Sequence, residues 1–522
     1  MATRTRWVFA VAALVLSACQ PNRFVSGWVP YWGGPDGRTT INDPDAALLL
    51  SDVSMLWYGT EVDGNGNGII VNLGSSTSLQ ATVDAARAQG LPVIPAIFDS
   101  TAAGVMSGIL ADPAKRAVHV QNIVQLVMTK NYDGIDIDYE VFAFNHPKSQ
   151  WPAITVNWVK FVEELGAQLH ARGKLLSVTV PPVWDFGSPT DGIFSGYTVY
   201  AQEQIAPFVD RLRLMVYDWS ITVPGSIAPM FWVNSVIAYS SARVPPSKLQ
   251  LGVPSYGRHW ATQKNSNEVC PDGAISRVSV QMTEVAALAA AHGVTPTRHA
   301  EGELTFGWTE QVTGPRTKPI EPPVWNPPAT VATEVTAPAT GTPLRPAQRL
   351  GPPPTNVTCT VQHTVFVPDA TSIRQRADAA IAADWSGIII FALGYETLDT
   401  YDLLAGVAPQ RPNGAVSGSL AAPTVTGNNV RVTGQALHPE FDLPMAVRLT
   451  ITPTAGGTAV VRTVTARASV AGMPDGVGPF HGIDETFALA SGNYTVCADV
   501  LHFGGAVAFS TPCQPFTVAG TI

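Results

Sequence analysis

Eight apolar runs recur along most of this chain, each followed by enough sequence for a helix, and that rhythm permits few folds. They fall at residues 25–32, 53–59, 92–98, 132–140, 175–182, 211–218, 249–256 and 387–394. Apolar runs of strand length that alternate with helical segments indicate parallel strands joined by crossover helices. Eight such units specify an α/β architecture, a closed (β/α)8 barrel of the TIM type. The helical period is plain at residues 157–170, where Trp158, Phe161, Val162, Leu165 and Leu169 share a face and Gly173 follows the end. Asp112-Pro113 opens another helix, the aspartate as cap and the proline in the first turn.

The chain of 522 residues, 46% of them hydrophobic, has more material than one barrel needs, so a second, smaller domain is expected. The gap between the seventh and eighth runs is far too long for one helix and implies an insertion over about residues 260–367. It contains a helix-like segment, 280–292, and a proline-rich stretch, 314–354, expected to be irregular or extended because proline fixes φ and lacks a donor. The barrel domain then spans residues 20–408. A linker at 409–423 leads into residues 424–522, where Val447, Leu449 and Ile451 alternate with Arg448, Thr450 and Thr452, and Tyr494, Val496 and Ala498 repeat the scheme. That is the pattern of an immunoglobulin-like β-sandwich. It shows no aromatic stripe, which favours a spacer or stabilising role over carbohydrate binding.

The fourth run carries the chemistry: Asp133-Gly134-Ile135-Asp136-Ile137-Asp138-Tyr139-Glu140. Side chains of a strand alternate with period two, so Asp136, Asp138 and Glu140 share one face while Ile135 and Ile137 take the other. Stacked carboxylates cost repulsion and desolvation, which suggests groups held to exchange protons. The two isoleucines mark a strand buried on both faces, as in a parallel sheet. Arg213 shares the parity of Met215 and Tyr217 two strands on, which places it deeper on the inward face and makes it the expected partner of Asp136.

The run resembles the Asp-Gly-x-Asp-x-Asp-x-Glu signature of the family 18 glycoside hydrolases, the chitinase family, at every specified position. The resemblance implies that Glu140 protonates the leaving oxygen, that Asp138 orients the sugar's acetamido group and that Asp136 supports Asp138. It also implies a retaining, substrate-assisted reaction with no second enzymic nucleophile. Met215-Val216-Tyr217-Asp218 resembles the family's Met-x-Tyr-Asp, which gives Tyr217 a hydrogen bond to the acetamido carbonyl, Asp218 a hold on the sugar and Met215 a place in the pocket wall. Leu251 to Arg258 is similar to the family's seventh strand, and members often carry an α+β insertion after it.

Two departures stand out. Phe391 replaces the tryptophan usual as floor of the cleavage subsite, and Ile94-Pro95-Ala96-Ile97-Phe98-Asp99 lacks the expected Ser-x-Gly-Gly. Trp28, Tyr31, Trp32, Trp184, Trp219, Tyr256 and Trp260 fall at or near strand ends, where flat apolar faces could stack on sugar rings. The implied substrate is a polymer containing N-acetylglucosamine: chitin or its oligosaccharides first, peptidoglycan or a glycoprotein glycan as alternatives, a non-catalytic sugar-binding protein as a third reading.

Other chemistries find little support. A formal charge of −9 without lysine or arginine clusters argues against nucleic acid. The ten histidines lack His-Glu-x-x-His spacing, and there is no phosphate loop or nucleophile elbow, so no metal or cofactor is expected. Asp63-Gly64-Asn65-Gly66-Asn67-Gly68 imitates half a calcium loop, but its twelfth position is Gly74, and a glycine-rich turn is the better reading. Residues 1–19 have the layout of an export signal, ending in the lipobox-like Leu16-Ser17-Ala18-Cys19. The expectation is an exported monomer, secreted or held at the cell surface by lipidated Cys19, with no other membrane contact. Setting Cys19 aside leaves four cysteines, which order along the chain pairs as Cys270 with Cys359 and Cys497 with Cys513.

Overall fold

The computed structural model describes residues 23–144, 146–186, 195–316, 355–405, 416–437, 445–471, 480–501 and 507–519. The export signal with Cys19, nearly all of the proline-rich stretch and the first half of the expected linker lie outside them. Eight parallel strands close into a barrel. We number them β1 (Phe24–Pro30), β2 (Leu50–Val62), β3 (Ala96–Phe98), β4 (Gly134–Asp138), β5 (Leu175–Val180), β6 (Arg211–Met215), β7 (Leu249–Pro254) and β8 (Gly387–Phe391). Each pairs with its neighbour in sequence, β8 pairs with β1, and the β1–β2 ladder completes the ring. All eight expected strands are present. Most stop short of the expected carboxyl ends: β4 before Glu140, β6 before Tyr217, β8 before Gly394. Ladder pairing ends there and the chain turns into the loops that carry function.

Alternation sorts the strand residues cleanly. Ile135 and Ile137 on β4, Leu212 and Leu214 on β6 and Ile388 and Ile390 on β8 face the surrounding helices, nearly inaccessible to solvent. Each such side chain stabilises the fold by about 1.5–3 kcal/mol. The helix Trp151–His170 buries the five predicted residues and also Trp151 and Ile154, so it starts a turn and a half earlier than its period suggested. The helix Pro113–Thr129 is capped by Asp112, whose carboxylate accepts from Ala114 N and Lys115 N. The Asp63 to Gly68 stretch is the turn of a hairpin between β2 and Gly68–Asn72, with Asp63 Oδ1 taking the Asn65 and Asn67 amides at 2.8 Å each.

The insertion is an antiparallel sheet of Tyr256–Gln263, Ser276–Gln281, Thr297–Arg298, Leu304–Arg316 and Thr355–Val367, with the helix Val285–Ala291 and a Cys270–Cys359 disulfide. It begins at Tyr256 rather than near Trp260, because the apolar run of β7 continues into the insertion's first strand with only Ser255 between. The segment expected as one helix from 280 is strand as far as Gln281, since Val280 pairs with Gly257. Beyond the barrel, two antiparallel sheets enclose a second core that includes Val447, Leu449, Ile451, Val496 and Ala498, with a Cys497–Cys513 disulfide. Part of the expected linker belongs to this module: Ser417–Leu420 pairs with Asn429–Leu437 and buries Leu420, an apolar signal too sparse among serines and glycine to read as a strand. Arg467 Nη1 reaches Asp210 Oδ1 at 2.8 Å, tying the module to the amino-terminal end of the barrel.

Candidate active site

A barrel of this size fills its interior with side chains, usually branched and apolar. Here the lowest layer is so filled, by Phe24, Ile94 and Leu175. Above it lies a buried polar network. Arg213 donates to Asp136 Oδ2 (3.0 Å), Asp52 Oδ1 (2.6 Å) and Gln250 Oε1 (3.0 Å). Ser26 donates to Asp52 (2.6 Å) and accepts from Gln250 (3.0 Å). Asp136 also accepts from Thr179 Oγ1 (2.9 Å), Ser54 Oγ (3.3 Å) and Trp28 Nε1 (3.1 Å). Six strands meet in this network, and the expected Arg213–Asp136 pair is its centre. Asp52, the second carboxylate on Arg213, had no signal in the sequence, since its partner is 161 positions away.

The network corrects the reading of Trp28. It lies within β1, is 2% exposed, and its indole N–H is committed to Asp136, so it offers no open face for a sugar. Trp260 is likewise buried at 1%, with its N–H on the Ile221 carbonyl.

Asp138 and Glu140 sit above, towards the mouth. Burial pushes Asp138 well above the usual carboxylate range, and the charges of Glu140 and Asp136 push the same way. Asp138 Oδ1 is buried with no hydrogen-bond partner among the described residues. Burial, then the charge of Asp218, lifts Glu140 from its ordinary 4.5 to about 7. The backbone that presents Glu140 is pinned by Tyr200, whose hydroxyl donates to the Tyr139 carbonyl at 2.7 Å.

Tyr217 faces this pair. Its phenol is raised well above 10 by burial, then by Tyr256, Asp138 and Glu140, which places all four groups within electrostatic reach of one another. Gly252 makes room: a Cβ there would come 2.4 Å from the Leu214 carbonyl oxygen and 3.3 Å from the Tyr217 ring. Asp218 takes a left-handed backbone (φ 64°), and its carboxylate accepts from Tyr256 OH (2.9 Å) and Arg258 Nη2 (2.6 Å). Strain of that kind collects at functional sites. Phe391 lies 5.8 Å from Tyr217, 6.0 Å from Tyr256 and 6.0 Å from Trp28, ring centre to ring centre, and so packs in one aromatic cluster with them.

The other aromatic candidates divide into two exposed groups. Tyr31 and Trp32 pack edge to face at the end of β1, and Trp32 Nε1 donates to Tyr395 OH at 2.6 Å. Trp184 and Trp219 are 5.7 Å apart and join Phe186 and Phe231, which are 57% and 49% exposed. Tyr395, Phe186 and Phe231 carry no signal in the sequence: the first two are aromatics in loops, and Phe231 lies in the first turn of the helix Met230–Ser241, on its exposed side.

The family model for "Glycosyl hydrolases family 18" matches residues 39–395. The chain belongs to that family. Among curated relatives it is 26% identical over 248 residues to the putative sporulation-specific glycosylase YdhD of Bacillus subtilis, covering 46% of this chain and 54% of that one. It is 25% identical over 251 residues to chitinase A1 of Niallia circulans, covering 42% of this chain and 34% of that one. The chain thus spans about half the length, or less, of these relatives. Among solved structures, the C-terminal domain of a putative chitinase from Desulfitobacterium hafniense superposes with a TM-score of 0.54 at 21% identity, covering 74% of this chain and 98% of that one. A chitinase from Chromobacterium violaceum gives 0.53 at 19%, covering 74% and 100%. At those identities the likeness establishes the barrel fold.

Proposed function

We propose that this family 18 protein is a retaining glycosidase that cleaves β-1,4 bonds next to N-acetylglucosamine, in chitin or chito-oligosaccharides, with the substrate supplying the nucleophile. The observation that carries this reading is the pairing of two abnormal carboxyls: Glu140, lifted to about 7 by burial and the charge of Asp218, and Asp138, whose buried Oδ1 has no donor among the described residues. A buried carboxylate oxygen left open at this place is free to accept a ligand N–H.

Glu140 gives its proton to the glycosidic oxygen as the bond to the anomeric carbon breaks. The acetamido carbonyl oxygen attacks that carbon from the opposite face. Asp138 accepts the acetamido N–H and offsets the positive charge of the oxazolinium ring that forms, while Tyr217 donates to the carbonyl and holds it in line. Glu140, now ionised, takes a proton from water, which opens the ring and restores the original anomeric configuration. Phe391 lies under the sugar as an apolar floor. Asp136, locked by Arg213, supports Asp138 from below.

A second substrate reading, the same chemistry on peptidoglycan or a glycoprotein glycan, is favoured by the lipobox-like Leu16-Ser17-Ala18-Cys19, which would place the enzyme at a cell surface. Incubation with N-acetylglucosamine oligosaccharides and with purified peptidoglycan, followed by mass spectrometry of the products, separates the two. Glu140→Gln is expected to lower kcat by roughly three orders of magnitude or more while retaining oligosaccharide binding. A loss of less than tenfold rules out Glu140 as the acid, and binding without cleavage by the wild type would make the protein a lectin.

A further inference from the structure

The loop after Tyr217 and Asp218, residues 219–228, ends in a clamp of two fully buried, oppositely charged side chains. Glu303 accepts the Ile227 N–H at 3.1 Å and the Ala228 N–H at 3.0 Å. Arg376 Nη2 donates to Glu303 Oε1 at 3.1 Å and also to the Ala228 carbonyl. The two are 0% and 1% exposed. Glu303 comes from the turn before the insertion's long hairpin, and Arg376 from the barrel helix Ala370–Ala382. Two distant parts of the chain therefore converge on two backbone residues of a loop neither adjoins.

The same loop is tied twice more. Trp260 Nε1 and Arg277 Nη1 both donate to the Ile221 carbonyl, at 2.9 and 3.1 Å. The Trp219 N–H donates to the Ile227 carbonyl at 2.8 Å, so the place of Ile227 sets the place of Trp219. Trp219 is the hub of the exposed aromatic group, 5.6 Å from Phe231 and 6.0 Å from Phe186. Phe231 in turn donates its N–H to Glu301, two residues before Glu303, at 3.4 Å. Burying an ion pair costs several kcal/mol per ion in lost hydration. A pair that uses both carboxylate oxygens on a loop's backbone secures the geometry of that loop, which would otherwise be among the more mobile parts of the molecule.

We propose that Glu303 and Arg376 are positioning residues that hold the Trp219–Phe231–Phe186 platform at a fixed offset from Glu140, and that through it the enzyme discriminates saccharides by length. Chains long enough to reach the platform gain binding from it; short ones end before it. The inference rests on the glycosidase reading above and adds to it the clamp and the length dependence.

The test compares a hexasaccharide of N-acetylglucosamine with a chromogenic disaccharide glycoside. Glu303→Gln is expected to raise KM for the hexasaccharide about tenfold and to leave kcat/KM for the short substrate within about twofold, with folding checked by circular dichroism. If Glu303 acts through the platform, the double variant Trp219→Ala/Glu303→Gln loses no more than Trp219→Ala alone. Should Glu303→Gln not fold, Phe231→Ala, a surface change, must show the same selective rise for the long substrate. Equal losses on both substrates, full additivity, or an unaltered KM in Phe231→Ala would each overturn the clamp and leave the glycosidase reading standing. A wild type that cleaves neither substrate would overturn that reading itself.

Discussion

Two tiers of acids lie one above the other in the same barrel, and the lower one is matched while the upper one is not. In the lower tier Asp52 and Asp136 share Arg213, and serine, threonine, glutamine and an indole N–H fill their remaining acceptor positions. In the upper tier, among the described residues, Asp138 and Glu140 form no ion pair and Asp138 Oδ1 has no donor, while Arg258 pairs with Asp218. Buried acids are thus paired with a guanidinium below and left without one above. Burial is common to both tiers; the placing of one guanidinium separates them.

The contrast can be broken in order of size. Removing the guanidinium by Arg213→Met leaves two buried carboxylates uncompensated and is expected to destabilise the fold by about 3–5 kcal/mol in denaturant unfolding. A loss below about 1 kcal/mol would show that the lower tier is not held by charge. In the upper tier the hydroxyl of Tyr217 is asked to act in the transition state only, so Tyr217→Phe is expected to lower kcat about a hundredfold with little change in stability or KM.

Glu140 offers a reversed stability effect. Its carboxyl moves from an ordinary 4.5 to about 7 on folding, so the folded chain holds the proton more tightly than the unfolded one. That contribution is complete below pH 4.5 and disappears as pH rises through about 7. Glu140→Gln, which cannot ionise, is therefore expected to be more stable than wild type at pH 8 by about 2 kcal/mol relative to their difference at pH 4, the half-buried site being partly screened. Equal pH dependence in the two proteins would mean that burial does not strain Glu140. The smallest effect concerns the floor: Phe391→Trp adds ring area beside Tyr217 and is expected to lower KM only a few-fold, about 1 kcal/mol at most.

Much of this was legible in the chain. Period two placed the acids inside, and parity brought Arg213 beneath them, because both follow from local backbone geometry. What escaped depends on contacts between distant segments. The sequence marks Trp28 as an aromatic near a strand end, but only the closed ring shows its N–H turned inward onto Asp136. Asp52 stands alone among apolar residues and serines, Glu303 follows Glu301 and Gly302, and nothing local distinguishes either from a solvated acid. Tyr256 lay at a strand boundary that the apolar pattern runs straight across.

The central claim is that Glu140 carries a proton at neutral pH for delivery to a glycosidic oxygen. It is tested most directly by the pH dependence of kcat/KM on an N-acetylglucosamine oligosaccharide. Activity should fall on the alkaline side with an apparent pKa near 7, as the acid loses its proton. A rate that stays level from pH 6 to pH 9 would contradict the assignment of Glu140 as the proton donor.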